Sequence, residues 1–286
     1  MNLAIPSIMI TLAIPSLMTT LAIPSIMTTL SIPSLMIVFP QGTVECDAGI
    51  MESSGLRHGA VGAVSGIQHP ICVAHKLLTL QSKPLLGNLV PPALLVGSGA
   101  VEWAAANGID TCEESKLVSG ISVCVQTVLD TVGCVAVSAD GTVAAGASSG
   151  GILLKTPGRV GQSAVLGAGY WAENDCKGSG RNIAVCTSGC GEMLVSSHLA
   201  MNAAAAVAST ADGDWTDLPR PLKALLLDSK FLKSYSRPKS SGCLILKHNP
   251  AEGYTDLYCC HSSISFGFAY MGAEDENPKV SDISTK

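Results

Sequence analysis

Four short segments of this 286-residue chain carry side chains able to attack and stabilise an amide or ester bond. Asp130-Thr131-Val132-Gly133 puts a hydroxyl at the head of an apolar run, and Ser149, in Ser148-Ser149-Gly150-Gly151, follows 18 residues after Thr131. Next come Pro157-Gly158-Arg159-Val160-Gly161-Gln162 and then Thr187-Ser188-Gly189-Cys190-Gly191-Glu192. Together they offer hydroxyls, backbone N–H groups, a guanidinium and a neutral amide. A threonine hydroxyl is a weak nucleophile until a base stands beside it. A freed α-amine, with a reference pKa of about 7.7–8.0, is such a base at neutral pH. Each segment alone has a plainer meaning. A mid-chain threonine is ordinarily a β-former, an isolated arginine a surface ion pair, and a Gly-rich stretch a turn that admits positive φ. The ordered set carries the information.

These residues need rigid elements to hold them. Residues 131–138 form a short, β-branched apolar run, Ala139-Asp140-Gly141 turns the chain, and 142–148 run back, which predicts a hairpin with an Asp-Gly turn. Both strands are apolar on each face, so layers must cover the sheet above and below. Residues 182–187 read as another buried strand, followed by a helix to about Val207 with Val195, Leu199 and Ala203 at four-residue spacing. A helix starting at Pro70 carries Val73, Ala74, Leu77 and Leu78 on one face, and a second covers 100–107 and stops at Gly108. Residues 42–66 read as strand and loop, 109–129 as loop, 222–227 as a short helix, and 243–246, 257–260 and 266–270 as strands. Blocks of strands and helices favour a layered α+β fold over a βαβ wheel.

Composition narrows the function classes. Hydrophobic residues make up 47% and charged ones 14%, which argues against disorder. A net charge of −5 without a basic cluster argues against nucleic acid. The eleven cysteines are irregularly spaced, Cys186 and Cys190 lack a zinc-motif partner pair, and Cys259 and Cys260 are adjacent. They read as reduced thiols of a cytosolic or nuclear protein.

Residues 3–38 are four copies of a nine-residue unit, with prolines at 6, 15, 24 and 33. There is no basic n-region for a signal peptide, and a proline every nine residues breaks the hydrogen bonds a membrane helix needs. An expanded tandem repeat without function is the leading reading of this segment, and membrane association through it the lesser. Residues 1–39 are expected to lie outside the hydrolytic domain, which is assigned to 40–130 and 131–286.

Taken in order, the four segments, together with Trp171-Ala172-Glu173-Asn174, Cys46-Asp47-Ala48-Gly49-Ile50-Met51 and residues 59–67, resemble the type 2 asparaginase family. Within it they look most like the threonine aspartases. The resemblance covers about residues 42–112 and 130–272. It implies a four-layer αββα sandwich of the N-terminal-nucleophile hydrolases. Thr131 is the implied nucleophile, exposed by self-cleavage of the Asp130–Thr131 bond into chains 1–130 and 131–286 that stay together. Ser149 matches the hydroxyl that hydrogen-bonds the nucleophile. Arg159 matches the substrate-carboxylate arginine, while Ser188 and Gly189 match the oxyanion pair and Gly191 a substrate-lining glycine.

Gln162 discriminates within the family. Asparaginases and isoaspartyl peptidases place there an aspartate that receives a free α-ammonium, and a neutral amide does this poorly. The resemblance therefore implies an endopeptidase cutting after an aspartate inside a protein substrate. The alternatives are an L-asparaginase or isoaspartyl peptidase, and an inactive truncated family member. A homodimer of αβ units and no organic cofactor are implied, and no metal site is assigned, because the loop that holds a sodium ion in the family is not visible here. Two family features have no counterpart: the first strand with its Asn-Ala-Gly loop, and the basic insertion before the nucleophile associated with nuclear import.

Overall fold

Alternation along the strands decides what each residue faces, and among the described residues it sorts the buried apolar side chains of the two larger sheets into three clusters, beside a small fourth of helix leucines. A computed structural model describes residues 7–10, 44–117 except 84, 86 and 88, and 130–284 except 153, 175–180, 211–217, 237–238, 264, 273–274 and 276. In chain order the first half runs β1 (Ser7–Ile10), β2 (Cys46–Glu52), β3 (Arg57–Val64), α1 (Pro70–Leu80), β4 (Leu94–Val96), α2 (Gly97–Ala106), β5 (Asp130–Val137) and β6 (Val143–Gly151). The second half runs β7 (Tyr170–Asn174), β8 (Asn182–Gly189), α3 (Gly191–Ser197), α4 (Leu199–Ala208), α5 (Pro219–Lys223), β9 (Ser241–Asn249), β10 (Tyr254–His261), β11 (Ser265–Tyr270) and β12 (Lys279–Ser284). One sheet has the order β4-β3-β2-β6-β5, a second β10-β9-β8-β7, and a third β1-β11-β12.

On β5, Val135 and Val137 join Tyr170, Ala184, Cys186, Leu244 and Leu246 in a core between the two larger sheets. The intervening Cys134 and Ala136 turn the other way, against Val73, Ala74, Leu77 and Leu78 of α1. On β8 and β9, Ile183, Val185, Cys243 and Ile245 face Ala200, Ala203 and Val207 of α4 and Leu222 of α5. The layers are thus helix, sheet, sheet, helix, the expected αββα sandwich. Each fully buried Val, Leu or Ile contributes about 1.5–3 kcal/mol. Gly49 on β2 lets the sheets meet closely, because a Cβ there would collide with the Tyr170 ring.

The hairpin forms around Gly141 at φ +82, and α2 ends before Gly108 at φ +75. The single helix expected up to Val207 is two. His198 adopts φ +44, and its N–H closes on the Leu194 and Val195 carbonyls. The Ser197 carbonyl accepts the Asn202 side chain at 2.7 Å, and the Met201 N–H turns 2.9 Å to the Gly167 carbonyl. This local side-chain bond and the long-range bond to Gly167 replace the helical one from Met201 to Ser197. Within the repeat segment, residues 7–10 form β1, which pairs in parallel with β11 from Ser7 opposite Phe266 to Ile10 opposite Ala269. The remaining repeats and residues 118–129 lie outside the described residues. No helix among the described residues is long and apolar enough to cross a membrane.

Candidate active site

Parity on the strands brings the candidate residues to one place. Thr131 shares the inward parity of Val135 and Val137 on β5, and Ser188 shares that of Ala184 and Cys186 on β8. Both hydroxyl residues therefore face the space between the sheets. The register slips at the head of β5, where Asp130 pairs with Gly151 but Thr131 with Ser149. Gly150 is the extra residue, a bulge at the bond expected to break.

Thr131 is 4% exposed, Ser149 2% and Gln162 3%. The Thr131 hydroxyl donates to Ser149 Oγ at 3.2 Å and accepts from Gln162 Nε2 at 3.0 Å. Ser149 Oγ also accepts the Gly151 N–H at 2.9 Å. Ser188 Oγ is buried with no hydrogen-bond partner among the described residues. Leaving such a group unpaired costs about 1–3 kcal/mol, and Ser65, Ser163, Tyr170 and Trp171 carry buried atoms in the same condition. Gly189 follows at φ +146, where a Cβ would strike the Ser240 carbonyl.

Arg159 stands beside Gln162 across Gly191, with its guanidinium already engaged. Its Nε lies 2.8 Å and its Nη2 2.7 Å from Glu192 Oε1. Burial pulls the Glu192 carboxyl upward, but the hydrogen bond and charge of Arg159, with bonds from its own backbone N–H and from Cys190, together hold the group below its usual range. Glu192 is thus an anion at neutral pH, and it competes with any substrate carboxylate for this arginine. Gly191 supplies the room. A Cβ there would stand 2.7 Å from both Arg159 Nη2 and Gln162 Oε1.

A buried ion pair beside these residues escaped the sequence reading. Asp47 Oδ1 accepts the Ala63 N–H at 2.8 Å, and Oδ2 accepts the Gly161 N–H at 2.9 Å. Lys155 Nζ lies 3.9 Å from Asp47 Oδ2, with both side chains wholly buried, and donates to the Glu45 carbonyl at 2.8 Å. The Glu45 carboxylate in turn accepts the Gly158 N–H at 2.8 Å. Residues 45–47 therefore anchor the 155–161 loop that presents Arg159 and Gln162. Ala63 is held at φ +49 in a bulge of β3, a strained conformation that aims its N–H at Asp47. The available signal was a carboxylate inside an otherwise apolar strand, Cys-Asp-Ala-Gly-Ile, and its cationic partner far along the chain was invisible.

The fold and a buried threonine heading a sandwich strand define the N-terminal-nucleophile hydrolase class. The asparaginase family model (Asparaginase_2) matches residues 37–124 and 121–214, and the chain belongs to that family. An isoaspartyl peptidase/L-asparaginase of Bos taurus is 37% identical over 175 residues, covering 56% of this chain and 52% of that protein. A plant-type L-asparaginase of Pyrobaculum calidifontis is 34% identical over 188 residues, covering 60% and 58%. An isoaspartyl peptidase of Escherichia coli is 32% identical over 184 residues, covering 57% and 53%. The chain spans about half the length of the curated relatives it matches. These names belong to the asparaginase and isoaspartyl peptidase branch, not to the threonine aspartases the sequence motifs suggested.

Proposed function

We propose that the chain is the precursor of a self-processing threonine-type hydrolase that attacks an aspartyl carbonyl, as an L-asparaginase or isoaspartyl peptidase does. The buried Thr131 hydroxyl, fixed between Ser149 and Gln162, carries this reading. In the precursor Thr131 Oγ1 adds to the Asp130 carbonyl carbon, the C–N bond breaks, and the acyl group passes to oxygen as an ester. Water hydrolyses that ester and leaves a free α-amine on Thr131. Donation of the hydroxyl proton to Ser149 turns it away from the attacking lone pair.

In turnover the new amine accepts the hydroxyl proton as Oγ1 attacks, a step worth about 10²–10⁴ in rate. Ser188 Oγ and the Gly189 N–H receive the oxyanion, where one such donor is worth about 10²–10³. Arg159 binds the substrate carboxylate by sharing its fork with Glu192. Groups carried on rigid strands leave little reorganisation to oppose the reaction.

Gln162 favours a second reading, cleavage after an aspartate inside a polypeptide. Its amide offers no negative charge to a substrate ammonium. Processed protein incubated with asparagine, a β-aspartyl dipeptide and an internal-aspartate peptide separates the two. Ammonia or free aspartate from the first pair supports the small-substrate reading, and cleavage of the third alone supports the endopeptidase. No turnover of any by fully processed protein refutes both.

A further inference from the structure

We propose that Cys243 and Cys260 form a redox modification site, a cross-strand dithiol that a low-molecular-weight disulfide converts into an intramolecular bridge. The two residues are direct register partners on β9 and β10. Their Sγ atoms stand 3.0 Å apart, both as reduced thiols. A covalent S–S bond is about 2.05 Å, so a shift of about 1 Å closes it, and facing partners on adjacent strands need no refolding to supply that shift.

Access distinguishes the two thiols. Cys243 is wholly buried. Cys260 is half-buried and lies on the wall of a groove of about 770 Å³, together with Leu222, Lys223, Leu226, Cys259 and His261. A small reagent therefore meets Cys260 from the groove, and Cys243 is reached only through Cys260. Neighbouring thiols do not compete. The hydrogen bond to Cys260, with burial, pushes the Cys243 thiol well above its ordinary range, and burial pushes Cys259 up to about 12.

The exchange balances in two steps. Cys260 thiolate attacks one sulfur of the reagent disulfide, forms a mixed disulfide and expels one small thiolate. The Cys243 sulfur then attacks Cys260 Sγ and expels the second thiolate, which leaves as a thiol with the Cys243 proton, while the first thiolate takes up the proton that Cys260 released. Two protein thiols are oxidised to one S–S bond and one reagent disulfide is reduced to two thiols. The bridge has a structural consequence near the candidate site. Cys243 also pairs with Thr187 of β8, the residue before Ser188 and Gly189, so β10 becomes covalently fixed to the neighbour of that strand.

The test incubates the full chain with oxidised glutathione, quenches in acid, alkylates the remaining thiols and maps peptides without reduction. The expected product is a linked pair containing Cys243 and Cys260, lighter than the two reduced peptides by two hydrogen atoms, with loss of alkylation at both residues. Cys243→Ala should stop the reaction at a glutathione adduct on Cys260. Full alkylation of both cysteines, with modification confined to other half-buried thiols such as Cys190, would overturn the proposal. So would a folded Cys243→Ala protein whose Cys260 carries no adduct. The linked peptide of the unaltered chain decides the matter if that variant does not fold.

Discussion

Asp47→Asn should both destabilise the fold and slow its processing, because this buried carboxylate holds the loop that presents Arg159 and Gln162. The replacement keeps the shape but offers one acceptor oxygen where two N–H groups, of Ala63 and Gly161, now bond. One of those donors must then face an NH₂ group, at a cost of about 1–3 kcal/mol. Lys155, whose side chain has no exposure, also loses its counter-charge. Breaking a buried pair in this way costs about 3–5 kcal/mol, a figure that overlaps the first, so the expected total is about 3–5 kcal/mol. Against a typical stability of about 5–15 kcal/mol the effect is large. Urea unfolding in a Thr131→Ala background, which keeps one polypeptide, measures it. Adding Lys155→Met should recover part of the loss by removing the stranded cation. With Thr131 restored, a misplaced Gln162 should lengthen the precursor's lifetime about tenfold, equivalent to about 1.4 kcal/mol of barrier. An Asp47→Asn protein within about 1 kcal/mol of its parent, or a double variant no more stable than the single, would refute the reasoning.

Three further outcomes follow from the same geometry. Gly191→Ala places a methyl 2.7 Å from Arg159 Nη2 and Gln162 Oε1, so steady-state assays should show kcat/KM down by roughly 10-fold or more, with the thermal midpoint nearly unchanged. Gln162→Asp puts a carboxylate where the amide now lies 3.0 Å from Thr131 Oγ1. Turnover of a free β-aspartyl dipeptide relative to its N-acetylated form should rise, and an unchanged ratio would remove Gln162 from the specificity argument. Glu52 bears on pH: burial pulls its carboxyl up, but hydrogen bonds from Ser54 and Arg57 prevail and its pKa lies below the ordinary 4.5. A lowered folded-state pKa means the stabilisation is complete above the unfolded value and lost as pH falls through the folded one. Unfolding midpoints should thus drop below about pH 4.5, and Glu52→Gln should flatten that part of the profile.

Much of the fold was legible because the apolar pattern switches cleanly between periods. Val73, Ala74, Leu77 and Leu78 mark the buried face of α1, and Asp140-Gly141 marks the hairpin turn. The break at His198 was not legible, since it depends on a distant Gly167 carbonyl that captures the Met201 N–H. Strands β4 and β12 were missed for similar reasons. Leu94–Val96 is only three residues long, and Lys279–Ser284, Lys-Val-Ser-Asp-Ile-Ser, lacks the two-residue apolar alternation of a half-buried strand. At the candidate site, Thr131, Ser149, Gln162 and Arg159 could be nominated from ordered motifs. Their support by Asp47 and Lys155 could not, because a salt bridge across more than a hundred residues leaves no local periodicity. The Glu192 clamp on Arg159 likewise depends on a loop meeting a helix start.

Intact mass and N-terminal sequencing of the folded chain during incubation test the central claim most directly. The account predicts a second polypeptide that begins at Thr131 and runs to Lys286, and a Thr131→Ala protein that stays whole. A folded, unaltered chain that never yields a new amino terminus at that position would contradict it.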